Sequence, residues 1–198
     1  MGGMKFMLWL DGVGGYWVSL ADTVVLGQPG PGSPADVPIL GDLSARHARI
    51  RRDPEGYWIE PVRDVRLDGR LLAGPAALAD GCRIDLGRVY LVFRRPHALS
   101  ATARLEFASP HRTHPPADGV LLMASTCVLG PNGQSHVVCR SWPREVVLHR
   151  NEEKLFCRTA GPMDIDGVAC HDRGPLTLHS RVSGQGFSFS LEPIPAVR

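Results

Sequence analysis

Long apolar runs are missing from this chain. The N-terminal stretch Phe6-Met7-Leu8-Trp9-Leu10 is five residues long. That is too short for the core of a secretion signal and far short of the eighteen or so residues that span a bilayer. A dominant charge is missing too: the formal net charge is +2, too small for a nucleic-acid footprint. Cysteine pairs at metal or redox spacing are absent. The five cysteines, Cys82, Cys127, Cys139, Cys157 and Cys170, are odd in number and contain no Cys-x-x-Cys. They read as free thiols in a reducing, cytoplasmic setting. Catalytic signatures are lacking as well. There is no Gly-x-Ser-x-Gly and no lysine-bearing phosphate loop. Gly12-Val13-Gly14-Gly15 is glycine-rich but falls in a predicted hairpin, not between a strand and a helix. His111 and His114, or Cys170 and His171, offer too few ligands for zinc. Cys157 and Cys170 have His149 and His171 as conceivable bases but no activating motif. The expectation is a non-enzyme with no catalytic residue, metal or cofactor, and with neither nucleic acid nor membrane as partner. A metal-dependent or thiol enzyme is the remote alternative.

What the chain does have is punctuation. There are 22 glycines and 17 prolines, about a fifth of all residues, which disfavours long helices. Short apolar or alternating runs lie between them. Met4–Leu10, Trp17–Leu20, Thr23–Leu26, Ala48–Arg52, Tyr57–Pro61, Val65–Leu67, Arg83–Leu86 and Val89–Phe93 read as a first series of strands. Arg104–Phe107, Gly119–Met123, Cys127–Leu129, Ser135–Cys139, Glu145–His149, Lys154–Cys157, Thr177–Leu178 and Gly186–Leu191 read as a second. The only helix-like window is Gly74–Ala79, room for a single turn at most. The pattern predicts an all-β sandwich architecture.

The second series mirrors the first. Leu26-Gly27 matches Leu129-Gly130 at an offset of 103. Asp68-Gly69 matches Asp166-Gly167, Arg83-Ile84 matches Arg181-Val182, and Tyr57-Trp58-Ile59 matches Leu155-Phe156-Cys157, all at 98. A longer Pro/Gly loop at Gln28–Pro38 absorbs the difference. The spacing predicts a duplicated domain, divided at 1–98 and 99–198, with Trp58 and Phe156 at equivalent core positions.

Ser44-Ala45-Arg46-His47-Ala48-Arg49-Ile50 follows the Leu26-Gly27 turn and precedes Leu78-Ala79-Asp80-Gly81-Cys82-Arg83-Ile84-Asp85-Leu86-Gly87. Ser-x-x-His-Ala-x-Ile between those glycine turns resembles the forkhead-associated (FHA) domain. The resemblance covers roughly residues 4–94 and implies two tandem FHA-like β-sandwiches, the second divergent. It also implies a signalling adaptor whose partner is a protein or a phosphothreonine-containing peptide. In that family an arginine after the first glycine turn, a serine and the residue following it face the phosphate, while a histidine supports the loop. Here Ser44 and His47 match. Gln28 stands in place of the arginine, Ala45 in place of the second donor, and Arg63 in place of a peptide-gripping asparagine. The implied phosphopeptide contacts are therefore Gln28, Ser44, Arg46, Arg63 and Arg66, with Gly27, His47 and Gly69 supporting the loop. Two readings stay open for the arginines: a replacement anion patch beside Ser44, or solvated strand faces. Ser44 itself can simply cap a turn. In the second repeat Trp142 replaces Ser44 and Glu145 replaces His47, and a carboxylate there repels phosphate. Interaction or self-association without phosphate is the alternative function.

Overall fold

The computed structural model describes residues 4–97 and 99–194. These form twenty-two strands and no helix. In chain order they are β1 (Lys5–Leu10), β2 (Gly14–Ser19), β3 (Thr23–Gly27), β4 (Val37–Pro38), β5 (Ala48–Asp53), β6 (Gly56–Pro61), β7 (Val65–Leu67), β8 (Arg70–Leu71), β9 (Ala76–Ala77), β10 (Arg83–Leu86) and β11 (Val89–Arg94). The second series is β12 (Ala103–Phe107), β13 (Gly119–Leu122), β14 (Thr126–Gly130), β15 (Val137–Val138), β16 (Val146–Asn151), β17 (Lys154–Thr159), β18 (Met163–Ile165), β19 (Val168–Cys170), β20 (Arg173–Leu176), β21 (Arg181–Gly184) and β22 (Phe187–Pro193).

Several expectations need correction. Gly74–Ala79, expected to hold at most a single helical turn, holds none. Ala76 and Ala77 instead pair with Ile59 and Trp58 as β9, at a sheet edge. The segment is too short to nucleate a helix and has a ready sheet partner. Thr177–Leu178 is a turn, closed by the Thr177 N–H donating to Ser180 Oγ at 2.9 Å. The strand is the preceding β20, whose Gly174 and Pro175 disguise it. Ser135–Cys139 contributes only the two-residue β15. Trp58 and Phe156 are not core residues. On β6 and β17 it is Tyr57, Ile59, Leu155 and Cys157 that are buried, and period-2 alternation turns the two aromatics outward.

The two halves of the chain share strand registers. Leu26 faces Ala48 as Leu129 faces Val146; Arg83 faces Val92 as Arg181 faces Ser190; Ile84 faces Leu67 as Val182 faces Ile165. Each repeat has its own five-stranded sheet, β4-β3-β5-β6-β9 and β15-β14-β16-β17-β20. The remaining strands join in one twelve-stranded sheet, β19-β18-β21-β22-β1-β2-β13-β12-β11-β10-β7-β8.

The order within that long sheet crosses the expected boundary at 98/99 three times. The N-terminal hairpin β1–β2 pairs with β22, the last strand of the second repeat (Leu8 opposite Leu191). Its counterpart β12–β13 pairs with β11, the last strand of the first (Leu105 opposite Phe93). The short connection from Arg94 to Ala103 explains this. It lets β12 fold straight back on β11, and sequential strands pair most readily. That occupies the edge that β1 would need. Each repeat is thus completed by the other's hairpin.

The hairpins meet at β2 and β13, which run parallel with Trp17 opposite Val120. Their side chains alternate between two cores. Trp17, Val120 and Leu122 join Ile50, Ile59, Phe93 and Leu105 in the first. Val18, Leu121 and Met123 join Phe6, Leu8, Leu129, Leu148 and Phe189 in the second. The two five-stranded sheets therefore cover opposite faces of the long sheet, and β13 is buried on both.

Candidate functional site

His47 organises one end of the first sandwich. It is only 7% exposed, so both ring nitrogens need partners. The Ser44 N–H donates to Nδ1 at 3.4 Å, which leaves the proton on Nε2, and Nε2 donates to the Asp64 carbonyl at 3.1 Å. The His47 backbone adds more ties. Its N–H donates to Leu26 O, and its carbonyl accepts the N–H groups of Val62 and Arg63. One residue so fixes the β3 end, the β4–β5 loop and the β6–β7 loop together.

Gly27 and Gln28 complete the constellation. The Gln28 N–H donates to the Ser44 carbonyl at 3.1 Å. A Cβ on Gly27 would lie 2.1 Å from the Ala45 carbonyl oxygen and 2.9 Å from that of Ser44. Only glycine permits this approach of two backbones. Gln28, Arg46 and Arg63 are exposed and Ser44 is half-buried. Among the described residues, neither Arg46 nor Arg63 enters an ion pair. The β10–β11 turn borders the same end: Gly87 approaches the Asp42 carbonyl. The neighbouring Arg88 is exposed and was not anticipated as a site residue. Its proximity follows from sheet order, which the sequence motif does not contain.

Arg66 and Gly69 do not join the others. They lie at the opposite end of β7, where Asp68 and Gly69 (φ 50° and 81°) form the β7–β8 turn. The Arg66 Nη1 donates to the Gly69 carbonyl at 3.2 Å. Gly69 supports that turn, not the Ser44 loop. Both were assigned by linear alignment, and three residues of extended strand carry them away from His47 by roughly 10 Å.

The equivalent end of the second repeat is built differently. Trp142, in place of Ser44, is 3% exposed and packs on Phe187 at 5.5 Å between ring centroids. Arg144 donates to the Ala160 carbonyl and to Gln185 Oε1. Glu145, in place of His47, accepts from Asn132 Nδ2 at 2.7 Å. These contacts stand where the histidine-centred hydrogen bonds stand in the first repeat.

No protein-family model matches the sequence, and no curated protein matches it significantly. Two solved structures are similar. One is the FHA-2 domain of the Mycobacterium tuberculosis ABC transporter Rv1747, 22% identical, covering 45% of this chain and 76% of that one, with a TM-score of 0.35. The other is the FHA structure of Rv0020c, 23% identical, covering 48% of this chain and 95% of that one, with a TM-score of 0.34.

Proposed function

We propose that this chain is a protein-interaction module of FHA type, not an enzyme, that takes a peptide at the His47-supported end of its first repeat. The observation that carries this reading is the set of hydrogen bonds drawing Gln28, Ser44 and Arg63 around one buried histidine, with the exposed Arg46 next to it in the chain. A phosphothreonine carries about −1.5 to −2 charge and three strong acceptors. Ser44 Oγ and the exposed guanidinium groups of Arg46 and Arg63 suit it in kind. Gln28 and Ala45 supply less than the family's donors. Losing a charged donor costs about 1.5–3 kcal/mol, one to two decades in affinity, so binding is expected near millimolar.

Titration of a phosphothreonine peptide library against the wild type and Gln28→Arg tests this. The variant is expected to bind at least tenfold more tightly and to leave unphosphorylated peptides unaffected. Wild-type and variant proteins that both ignore the phosphate would remove the phosphopeptide reading.

Phosphate-independent recognition is the second reading, and one observation favours it. Leu40 and Val62, on the loops at this end, are 47% and 41% exposed. They offer apolar contacts beside the arginines.

A further inference from the structure

The outer faces of the two five-stranded sheets occupy equivalent places yet differ in charge. On the first repeat, Arg49 lies directly opposite Glu60 and pairs with it at 3.2 Å, and Arg51 reaches both Glu60 and Asp53. That face is neutralised internally. On the second repeat the position of Glu60 is taken by Arg158, and Arg158 lies directly opposite Arg173 across β17 and β20. Like charges facing each other across a ladder destabilise the sheet. Among the described residues, neither arginine has a carboxylate within ion-pair distance.

The surroundings of this pair form a cleft of about 560 Å³ lined by Thr126, Val147, His149, Arg158, Asp172 and Arg173. Its aromatic edge is ordered. His149 stacks on Phe156 at 5.1 Å between centroids and 15° between planes, and the Arg173 guanidinium sits 4.6 Å from the Phe156 ring centre. Phe156 thereby holds Arg173 in place by a cation–π contact. Burial, then the fields of Arg173 and Arg158, keep the His149 imidazole below its ordinary pKa.

We propose that this outer sheet face of the second repeat is a docking surface for an acidic peptide segment of a partner protein. A carboxylate between Arg158 and Arg173 relieves their repulsion, as Glu60 does for Arg49 and Arg51. The exposed Arg158 and Arg173 supply charge, and the half-buried Val147 and Phe156 supply apolar contact. The two arginines attract a carboxylate, and Asp172 beside them offsets only part of their charge. A nucleic-acid strand gains its affinity from many phosphate contacts, which a face of this size does not provide. The surface is separate from the His47 end and does not depend on the function proposed for it.

The test uses the full chain and a fluorescein-labelled octapeptide alternating Glu with Val, with a Gln/Val octapeptide as control. The Glu peptide is expected to bind, the Gln peptide not, and Arg158→Glu to weaken binding by roughly tenfold to a hundredfold. Arg158→Lys is expected to retain most of it. Arg63→Glu, at the His47 end, is expected to leave it unchanged. On titration, ring resonances of His149 and Phe156 should shift. Arg158→Glu is a surface change, and an unaltered unfolding midpoint verifies that variant's fold. Equal binding by wild type and Arg158→Glu overturns the proposal. So does binding that Arg63→Glu abolishes, which would put the acidic peptide at the other end. Tighter capture of a single-stranded oligonucleotide through Arg158, or Arg158-dependent dimerisation of the chain alone, also overturns it.

Discussion

At the residue scale, two buried histidines in different loops do opposite work. His47 is hydrogen-bonded at both ring nitrogens and at its backbone N–H and carbonyl. Replacing it with alanine leaves the Asp64 carbonyl and the Ser44 N–H unmatched and opens a small void. His47→Ala is therefore expected to destabilise the protein by about 1–3 kcal/mol. An unchanged denaturation midpoint and slope would contradict this role. His136 is fully buried. Its Nδ1 accepts the Val128 N–H at 2.8 Å, as Asp36 Oδ2 accepts that of Val25 in the first repeat. Burial, then His97 and Arg104, lowers its pKa to about 4. The folded state therefore binds a proton less readily than the unfolded chain, whose histidine titrates near 6.5. Stability is fully present above about pH 6.5 and is lost as pH falls towards 4, by about 3 kcal/mol in total. His136→Asn keeps the acceptor and cannot titrate. Denaturant unfolding at pH 7 and 4.5 should show a smaller acid loss in the variant; equal losses would remove His136 as the cause.

At the element scale, legibility depended on whether a signal was local. The Asp-Gly turns were readable because φ > 0 at both positions demands such residues, and Asp68, Gly69, Asp166 and Gly167 all have it. Most strands with alternating apolar residues were readable for the same reason. Ala76–Ala77 and Arg173–Leu176 were not. They are strands only because β6 and β17 offer them an edge, and Pro175 and Gly174 argue locally against one. Trp58 and Phe156 were misplaced because apolar character, not phase, suggested the core. The Ser44–His47 loop was legible as a motif, whereas Arg66 and Gly69 were misassigned, since linear distance hides the direction of β7. The two Asp-Gly turns also differ in depth. Asp68 Oδ1 accepts only the Arg83 N–H, while Asp166 accepts both the Arg181 N–H and the Ser180 hydroxyl, each at 2.7 Å. Ser180 is fully buried. Asp166→Ala is expected to cost about 1–2 kcal/mol and Asp68→Ala less. Urea midpoints in the reverse order would count against this account.

At the scale of the whole molecule, the exchanged hairpins decide what can fold alone. The matching registers of the two halves were foreshadowed by the repeated dipeptides, but the exchange was not, because β1 and β12 carry equivalent patterns and either could complete either half. The short Arg94–Ala103 connection settles the choice in favour of β12 on β11. Burial of β13 on both faces then ties the two cores together. Each core contains residues from both sides of position 98: Val120 and Leu105 in the first, Phe6 and Val18 in the second. Partial unfolding of one repeat strips apolar surface from the other, so the chain should unfold in one transition despite having two cores. Calorimetric and van't Hoff enthalpies are expected to agree for the full chain. Residues 1–98 and 99–198 made separately are expected to remain unfolded or to aggregate, since β11 and β22 each lose the hairpin that covers them. Mixing the two during refolding should restore a one-to-one complex. A monomeric, cooperatively folded 1–98 fragment would show that β1 can return to β11, and that the exchange is a choice made by the linked chain instead of a requirement of each repeat.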